Sequence, residues 1–452
     1  MGTEISSPEL SPEIRGIDDL EAYFHSGSKA RSAWRVGVEY ETPAVDAATG
    51  NALPYDGTRP SIRQILEGMA ADTRWTAVYE NDRIIALRDE SASITLEPGG
   101  QVEMSGKQCE TMHDAQGEFV EHVAQLTALS TRFGIAFLGL GATPVTPLAE
   151  CPWMPKQRYR IMREIMLSTG RLGHRMMQQT ATVQGNFDYD SEEDARRKLR
   201  VSLALSPVLV GMFANSPILD GADTGFKSFR AHVWTDTDPR RCGLLPFAFE
   251  TQSLFRAYAE YALDVPMYFL ARAGELLPTG GMTFREYLAR GIANHRATLA
   301  DWATHLTTLF PESRLKTYIE VRSADGQPQD RVMAIPALLK GILYESDCLD
   351  ATWDLLGQWT LSERIDAAAA AAKDGLSARV ARHSIQTYAR EVLKIAREGL
   401  RRQACTDPQG SDETVYLASL QTDVDAGVCP ADRALAAWRM GVGRLISHAA
   451  YR

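Results

Sequence analysis

Residues 36–41 read V-G-V-E-Y-E. Apolar and polar positions alternate, which is the period of a β-strand and not of a helix. Val36, Val38 and Tyr40 therefore share one face, and Gly37, Glu39 and Glu41 the other. The two glutamates point the same way, roughly 7 Å apart at about 3.3 Å of rise per residue. Taken alone, such a strand simply turns a wet face to solvent. Three other segments repeat the theme. Residues 96–106 read L-E-P-G-G-Q-V-E-M-S-G, residues 182–188 read T-V-Q-G-N-F-D, and residues 318–326 read Y-I-E-V-R-S-A-D-G. Each is strand-like and carries a carboxylate or amide among apolar neighbours. Strands that all offer oxygen donors toward one place suggest a cage for hard cations such as Mg²⁺.

The remaining pattern predicts an α+β chain. Short β-like runs at 75–80, 84–88, 93–96 and 101–105 are divided by turn residues such as Asn81-Asp82 and Pro98-Gly99-Gly100. Helical spacing recurs at 17–24, at 60–71 with proline in the first turn, and at 111–133. Residues 135–140 read as a buried strand, and a further helix begins near Lys156. Ser191 and Asp194 have the S-x-x-D form of a capping box and open a long helix, with an interruption expected at Pro207. Residues 229–234 and 315–321 read as strands, the second carrying Glu320. Beyond residue 330 the chain reads as helices, at 334–344, 364–373, 384–402 and 432–446, with almost no strand signal. The expectation is an antiparallel sheet backed by helices, in one domain over 1–452. Residues 1–15 form a loose lead-in, and 330–452 a mostly helical portion packed on the core.

Composition limits what such a domain can do. With 452 residues, 44% hydrophobic and 23% charged, a sizeable core can be buried. A formal net charge of −10 argues against a nucleic-acid surface. No apolar run is long enough to span a bilayer, so no membrane partner is expected. The N-terminus lacks a basic region followed by an apolar one. Met1-Gly2-Thr3-Glu4-Ile5-Ser6 fits the loose myristoylation pattern, but without a polybasic stretch it is read as chance. Six cysteines with no C-x-x-C pair suit a reducing compartment and no zinc site.

Two glycine patterns mislead. Residues 100–108, G-Q-V-E-M-S-G-K-Q, resemble a phosphate loop, but five residues separate the glycines and Gln108 stands where a hydroxyl is required. Gly139-Leu140-Gly141 follows a strand like a dinucleotide fingerprint, but Pro144 takes the third glycine position. No G-x-S-x-G elbow supports a serine triad.

Taken together, the long segments resemble the glutamate–cysteine ligase family, in its plant-type and proteobacterial branch. Besides those above, they include M-P-K-Q-R-Y-R-I-M-R (154–163), F-A-N-S-P (213–217), R-A-H-V-W-T-D-T-D (230–238), A-L-D-V-P-M-Y-F (262–269) and H-L-T-T-L-F-P-E (305–312). The resemblance runs from about Val36 to the end of the chain. It implies a glutamine-synthetase-like catalytic core with a curved, mainly antiparallel sheet. It also implies an enzyme that joins the γ-carboxylate of glutamate to the amine of cysteine, using ATP and Mg²⁺.

That chemistry gives each candidate residue a role. A carboxylate reacts with an amine only after its oxygen becomes a good leaving group, and phosphorylation by ATP supplies one. Charge then spreads over the phosphoryl oxygens and calls for Mg²⁺ and a protein cation. Glu39, Glu41, Glu97, Glu103 and Glu320, with Gln184 as a neutral sixth donor, are the expected ligands of two or three Mg²⁺ ions. Arg322 is expected at the transferring phosphate, with an internal salt bridge to a glutamate as the competing role. Arg230 has the planar fork that matches the α-carboxylate of glutamate. Asn186, Arg158, Tyr159 and Trp234 are expected to line the amino-acid pockets, and His232 to be structural.

Some positions depart from the family. Plant members place a redox-active cysteine before a G-M-T-F segment, where this chain has Thr279 before Gly280-Gly281-Met282-Thr283-Phe284. No redox switch is therefore expected. Residues 291–301 form a shorter segment than in those relatives. No transit-peptide pattern precedes the core, which predicts a cytoplasmic enzyme of bacterial style, monomeric or homodimeric. The alternatives are a sister carboxylate–amine ligase with another amine acceptor, and a noncatalytic binding protein. The intact carboxylate set argues against the second.

Overall fold

The alternating segment at 36–41 lies inside an eight-stranded antiparallel sheet. The computed structural model describes residues 12–452 apart from 58, 59, 273 and 381. The strands are β1 (Val36–Thr42), β2 (Thr76–Glu80), β3 (Arg83–Arg88), β4 (Ser93–Leu96), β5 (Val102–Ser105), β6 (Val183–Phe187), β7 (Ser313–Leu315) and β8 (Ile319–Val321). Their order across the sheet is β7-β8-β6-β1-β5-β4-β3-β2.

Residues opposite one another in a ladder share a face, so the register sorts the side chains. Tyr40 pairs with Met104 and Val183, Thr42 with Val102, and Val36 with Phe187. These residues are buried. Helix α1 (Met112–Phe133) covers them, with Phe119 edge-on to Tyr40 at 5.1 Å between ring centroids. Thr111 and Asp114 close a capping box at its start, and Gly134 ends it in the left-handed region. Helices α2 (Gln157–Thr169), α3 (Glu192–Met212), α4 (Phe229–Trp234) and α5 (Ala334–Leu343) follow along the chain, and α5 packs on β6 from the same side as α1. The opposite face carries Glu39, Glu41, Glu103, Gln184, Asn186 and Glu320. The main core draws on residues from Ile14 to Tyr451.

Four expectations are corrected. Residues 229–234 form helix α4, not a strand. Aromatic and branched residues favour extended backbone, but Ser228 Oγ accepts from the Ala231 N–H at 3.1 Å and caps a helical turn. The strand expected at 315–321 is a hairpin of β7 and β8, closed by the Lys316 N–H donating to Tyr318 O at 2.8 Å. Helix α3 continues through Pro207. The carbonyl of Leu203, which loses its usual N–H partner there, accepts from Ser206 Oγ at 3.0 Å instead. Residues 432–446 fall in two helices, Pro430–Arg439 and Val442–Ala449, separated at Gly441 with φ +110°. Most of the expected lead-in, residues 1–11, lies outside the described residues. Among the described residues, no helix is long and apolar enough to cross a membrane.

Candidate active site

The polar face of the sheet is built by register. Glu41 on β1 lies opposite Glu103 on β5, and Glu39 lies opposite Gln184 on β6. Glu97 arrives from the turn that joins β4 to β5. Its N–H donates to Gln101 O at 2.9 Å, and the Gly100 N–H donates to Glu97 O at 2.9 Å. Gly99 is required here by a close approach, since a Cβ would stand 2.0 Å from Gln178 O. The result is that carboxylate oxygens of Glu41, Glu97 and Glu103 lie within 4.8 Å of one another. Burial raises the Glu41 carboxyl well above the ordinary range, and Glu97 and Glu103 beside it add to the shift. Burial also pushes Glu97 up to about 7, with the neighbouring Glu103 contributing. Oxygens around one octahedral Mg²⁺ lie roughly 3 to 4 Å apart at metal–oxygen distances of about 2.1 Å. This donor set therefore fits a hard cation.

The other end of the same face is arranged differently. Arg314 on β7 lies opposite Glu320 on β8, and its Nη2 donates to both carboxylate oxygens at 2.6 and 2.8 Å. Arg322 Nη1 donates to Glu320 Oε1 at 2.5 Å and to Gln184 Oε1 at 2.6 Å. Burial alone would raise the Glu320 carboxyl, but Arg314 and Arg322 hold it well below the usual carboxylate range. Glu39 stands between the two groups. It accepts from Asn186 Nδ2 at 2.9 Å, and burial raises its carboxyl with help from both Glu320 and Glu103.

Beyond Arg322 lies a cavity lined by Arg230, Trp234, Phe310, Glu312, Arg322 and Ser323. Arg230 and Trp234 reach it from α4. Arg230 is buried, and its Nη2 donates to Arg322 O at 3.0 Å. The buried indole nitrogen of Trp234 has no hydrogen-bond partner among the described residues. His232, on the same short helix, stacks on Phe226 at 4.5 Å.

Across the carboxylate cluster, the start of α2 supports the β4–β5 turn. Lys156 Nζ donates to Leu96 O at 2.9 Å, and the Tyr159 hydroxyl donates to the same carbonyl. Burial pulls Lys156 down to about 8, opposed by the Glu97 charge. Arg158 is buried over the ring of Phe269 at 5.8 Å. Outside Lys156 opens a cavity of about 340 Å³ whose lining includes Arg83, Trp153, Tyr159, Arg160 and Arg163.

The structure thus gathers Glu41, Glu97 and Glu103 in one cluster, with Glu39 beside it. Glu320 and Gln184 are joined to arginines, and Arg230, Trp234 and Arg322 share a cavity. Arg158 and Tyr159 belong to the Lys156 side. Sequence reasoning missed Arg314 and Lys156. Arg314 emerges only from the hairpin register, and Lys156 only from its bond to a carbonyl 60 residues away.

Comparisons with known proteins point to one family. A family model described as glutamate–cysteine ligase family 2 matches residues 35–448. The chloroplastic glutamate–cysteine ligase of Brassica juncea is 42% identical over 421 residues, which covers 92% of this chain and 80% of the relative. That of Nicotiana tabacum is 41% identical over 432 residues, covering 95% and 81%. A crystal structure of glutamate–cysteine ligase from Francisella tularensis in complex with AMP aligns with a TM-score of 0.55 at 14% identity, over 92% of this chain and 87% of that one. This last likeness bears on the fold alone and agrees with the α+β architecture. The curated relatives run against the cytoplasmic expectation: they are named chloroplastic ligases.

Proposed function

The chain belongs to glutamate–cysteine ligase family 2, and from that premise we propose how its residues carry the reaction. It is an ATP-dependent ligase that joins the γ-carboxylate of L-glutamate to the amine of L-cysteine through a γ-glutamyl phosphate. The product is γ-glutamylcysteine, the first intermediate of glutathione synthesis. The γ-phosphoryl group passes from ATP to the glutamate γ-carboxylate and releases ADP. The cysteine amine then attacks the acyl carbon, loses a proton, and displaces phosphate.

Glutamate binds where Arg230 and Trp234 meet, and the cavity there, about 10 Å³ in volume, widens to admit it. The Arg230 guanidinium binds its α-carboxylate, and the indole N–H of Trp234 offers a further donor. ATP approaches from the opposite end, where Arg83, Lys156, Arg160 and Arg163 suit a polyphosphate and Trp153 offers an aromatic face. The reacting oxygens meet over the carboxylate cluster. Arg322, aimed by Glu320 and Gln184, offsets charge on the transferring phosphoryl group. Arg314 fixes Glu320 so that this aim is kept. Glu41, Glu97 and Glu103, with Glu39 beside them, would hold the first of two or three Mg²⁺ ions, and Gln184 and Glu320 would join as ligands only by sharing the oxygens now bonded to Arg314 and Arg322. Bound Mg²⁺ supplies Lewis-acid stabilisation of the phosphoryl oxygens. Asn186 sets the Glu39 side chain, and Tyr159 braces the turn that carries Glu97. Residues 1–452 act as a single catalytic domain.

The observation that carries this reading is the convergence of Glu41, Glu97 and Glu103 between two cation-lined cavities. The test combines product and metal readouts. With glutamate, cysteine, ATP and Mg²⁺, mass spectrometry should detect γ-glutamylcysteine in step with phosphate release. Chelator-treated protein should gain thermal stability on adding Mg²⁺, and Glu103→Ala should lose most of that gain. Product formation with an undiminished Mg²⁺ effect in Glu103→Ala would keep the activity and overturn the metal assignment.

A further inference from the structure

We propose that Asp325 is a positioning residue for Arg230, a role that rests on the assignment of Arg230 to the α-carboxylate of glutamate. Asp325 is 1% exposed. Its Oδ2 accepts from the Asn215 N–H at 2.7 Å and from Ser216 Oγ at 2.7 Å, and its Oδ1 accepts from Ser228 Oγ at 2.8 Å. One carboxylate therefore ties residues 215–216 and 228 to a segment about a hundred residues further along the chain.

Two of those contacts lead directly to α4. Ser216 Oγ accepts from the Arg230 N–H at 2.9 Å, and Ser228 Oγ accepts from the Ala231 N–H at 3.1 Å. Asp325 thus holds both hydroxyls that fix the first turn of the helix bearing Arg230. A six-residue helix has little intrinsic stability, so these hydroxyls determine where its side chains point. The charge acts as well. Arg230 Nη1 lies 4.0 Å from Asp325 Oδ1, close enough to offset a buried guanidinium. At that distance Asp325 takes no hydrogen bond from the fork, so it offsets the charge without occupying the N–H groups that face the cavity.

The surroundings are shaped to this carboxylate. A Cβ on Gly141 would stand 2.5 Å from Asp325 Cβ. That contact accounts for the second glycine of Gly139-Leu140-Gly141, the pattern that resembles a nucleotide fingerprint without being one. Asp325 also lies three residues after Arg322, so the two arginines lining the cavity are referred to one chain segment.

The test is steady-state kinetics on the full chain for Asp325→Asn and Ser216→Ala, each also combined with Arg230→Lys. Asparagine keeps the size but loses the charge and one acceptor. Asp325→Asn should raise KM for glutamate about tenfold, with kcat within about threefold and KM for ATP unchanged. Added to Arg230→Lys, it should raise glutamate KM by less than about twofold, because the two changes act through one side chain. If Arg230→Lys raises glutamate KM and Asp325→Asn does not, the positioning role falls and the Arg230 assignment stands. If Arg230→Lys leaves glutamate KM unchanged, the assignment itself falls, and this role with it. Full additivity, or a matching rise in KM for ATP, would mark Asp325 as merely structural and overturn the role. If Asp325→Asn does not fold, judged by circular dichroism, Ser216→Ala decides: it should raise glutamate KM about threefold, and an unchanged value overturns the role.

Discussion

Two groups of glutamates stand on one face of one sheet and meet opposite treatment. At the β7–β8 end, Glu320 is gripped by Arg314 through both oxygens and by Arg322 through one. Its carboxyl is held far toward the ionised form. At the β1–β5 centre, Glu41, Glu97 and Glu103 bring oxygens within 4.8 Å of one another. There the carboxyls of Glu41 and Glu97 are pushed toward the protonated form by burial, with Glu103 beside both adding to the shift. Two unit charges 4.8 Å apart repel by about 3 kcal/mol at an effective dielectric of about 20. The same fold that supplies a guanidinium to one buried carboxylate crowds three others together. A side-chain cation fixes geometry permanently, whereas a cation taken from solution can come with the substrate. The first arrangement suits aiming Arg322, and the second suits recruiting Mg²⁺ with ATP.

The contrast breaks most directly at the crowded centre. Glu103→Ala should lower turnover by about three powers of ten or more, equivalent to about 4 kcal/mol of barrier. Its metal-free melting temperature should stay close to that of the parent, because the lost hydrogen bond from Ser105 Oγ to Glu103 is offset by relief of the crowding at Glu41 and Glu97. Circular dichroism, a melting curve and a phosphate-release assay decide it. Near-normal activity at limiting Mg²⁺ would remove Glu103 from the ligand set.

At the compensated end the expectation is reversed. Arg314→Met keeps the bulk but leaves Glu320 buried with one fewer cation, which should destabilise the fold by about 3 kcal/mol. Chemical denaturation should show a lowered midpoint with an unchanged slope. If Arg314→Met is as stable as the parent while Glu103→Ala is not, the two ends have been assigned the wrong way round.

How far this division can be read from the chain depends on the range of the interaction. The polar face was legible because Glu39 and Glu41 are two residues apart in one strand, and period-2 alternation needs no partner to be recognised. Glu103, Gln184 and Glu320 followed from the same local signal. Arg314 did not, because residues 315–321 read as one strand, whereas the turn at 316–318 brings Arg314 opposite Glu320. The role of Lys156 hangs on the Leu96 carbonyl, and nothing near residue 156 announces it. Helix α4 was missed for a related reason. Its composition is strand-like, and it turns into a helix through Ser228, itself held by Asp325 from 97 residues away. Local periodicity reveals which face a residue takes. Hydrogen bonds between distant segments decide which residues on that face are joined.

The two arginines of the glutamate cavity sharpen the comparison. Arg322 is bonded to Glu320 and Gln184, while the Arg230 guanidinium, among the described residues, is bonded to one backbone carbonyl beyond its ion pair with Asp325. Arg322→Lys keeps charge but loses the fork, and should lower kcat by about one to two powers of ten. Arg230→Lys should raise KM for glutamate by a similar factor with kcat little changed, because an α-carboxylate is alike in ground and transition states. Kinetics in glutamate at saturating ATP, Mg²⁺ and cysteine separate the two. If Arg322→Lys alters only KM, the phosphoryl group does not lie at that arginine.

The smallest expected effect concerns protons at the crowded centre. Glu97 has a folded-state pKa of about 7 against an ordinary 4.5. For a carboxyl raised in this way, the stabilising contribution is present below the unfolded value and is lost as pH rises through the folded one. Metal-free protein should therefore lose this contribution between about pH 4.5 and pH 7. Mg²⁺ acts in the opposite sense. It needs the ionised carboxylate, so a proton competes with it below about pH 7 and releases the site above. Between about pH 6 and pH 8 one such proton changes the apparent Mg²⁺ affinity by about tenfold, or about 1.4 kcal/mol. The rise in melting temperature on adding Mg²⁺ to chelator-treated protein should thus be larger near pH 8 than near pH 6. Glu97→Gln should flatten that difference, since an amide has no proton to release. The pairing of Glu320 with two arginines gives it no comparable titration in this window, so Glu320→Gln should leave the pH dependence of the Mg²⁺ effect intact. An equal Mg²⁺ effect at both pH values in the parent would show that Glu97 is already ionised, and that the crowding of the three carboxylates is relieved by something other than a proton or a metal ion.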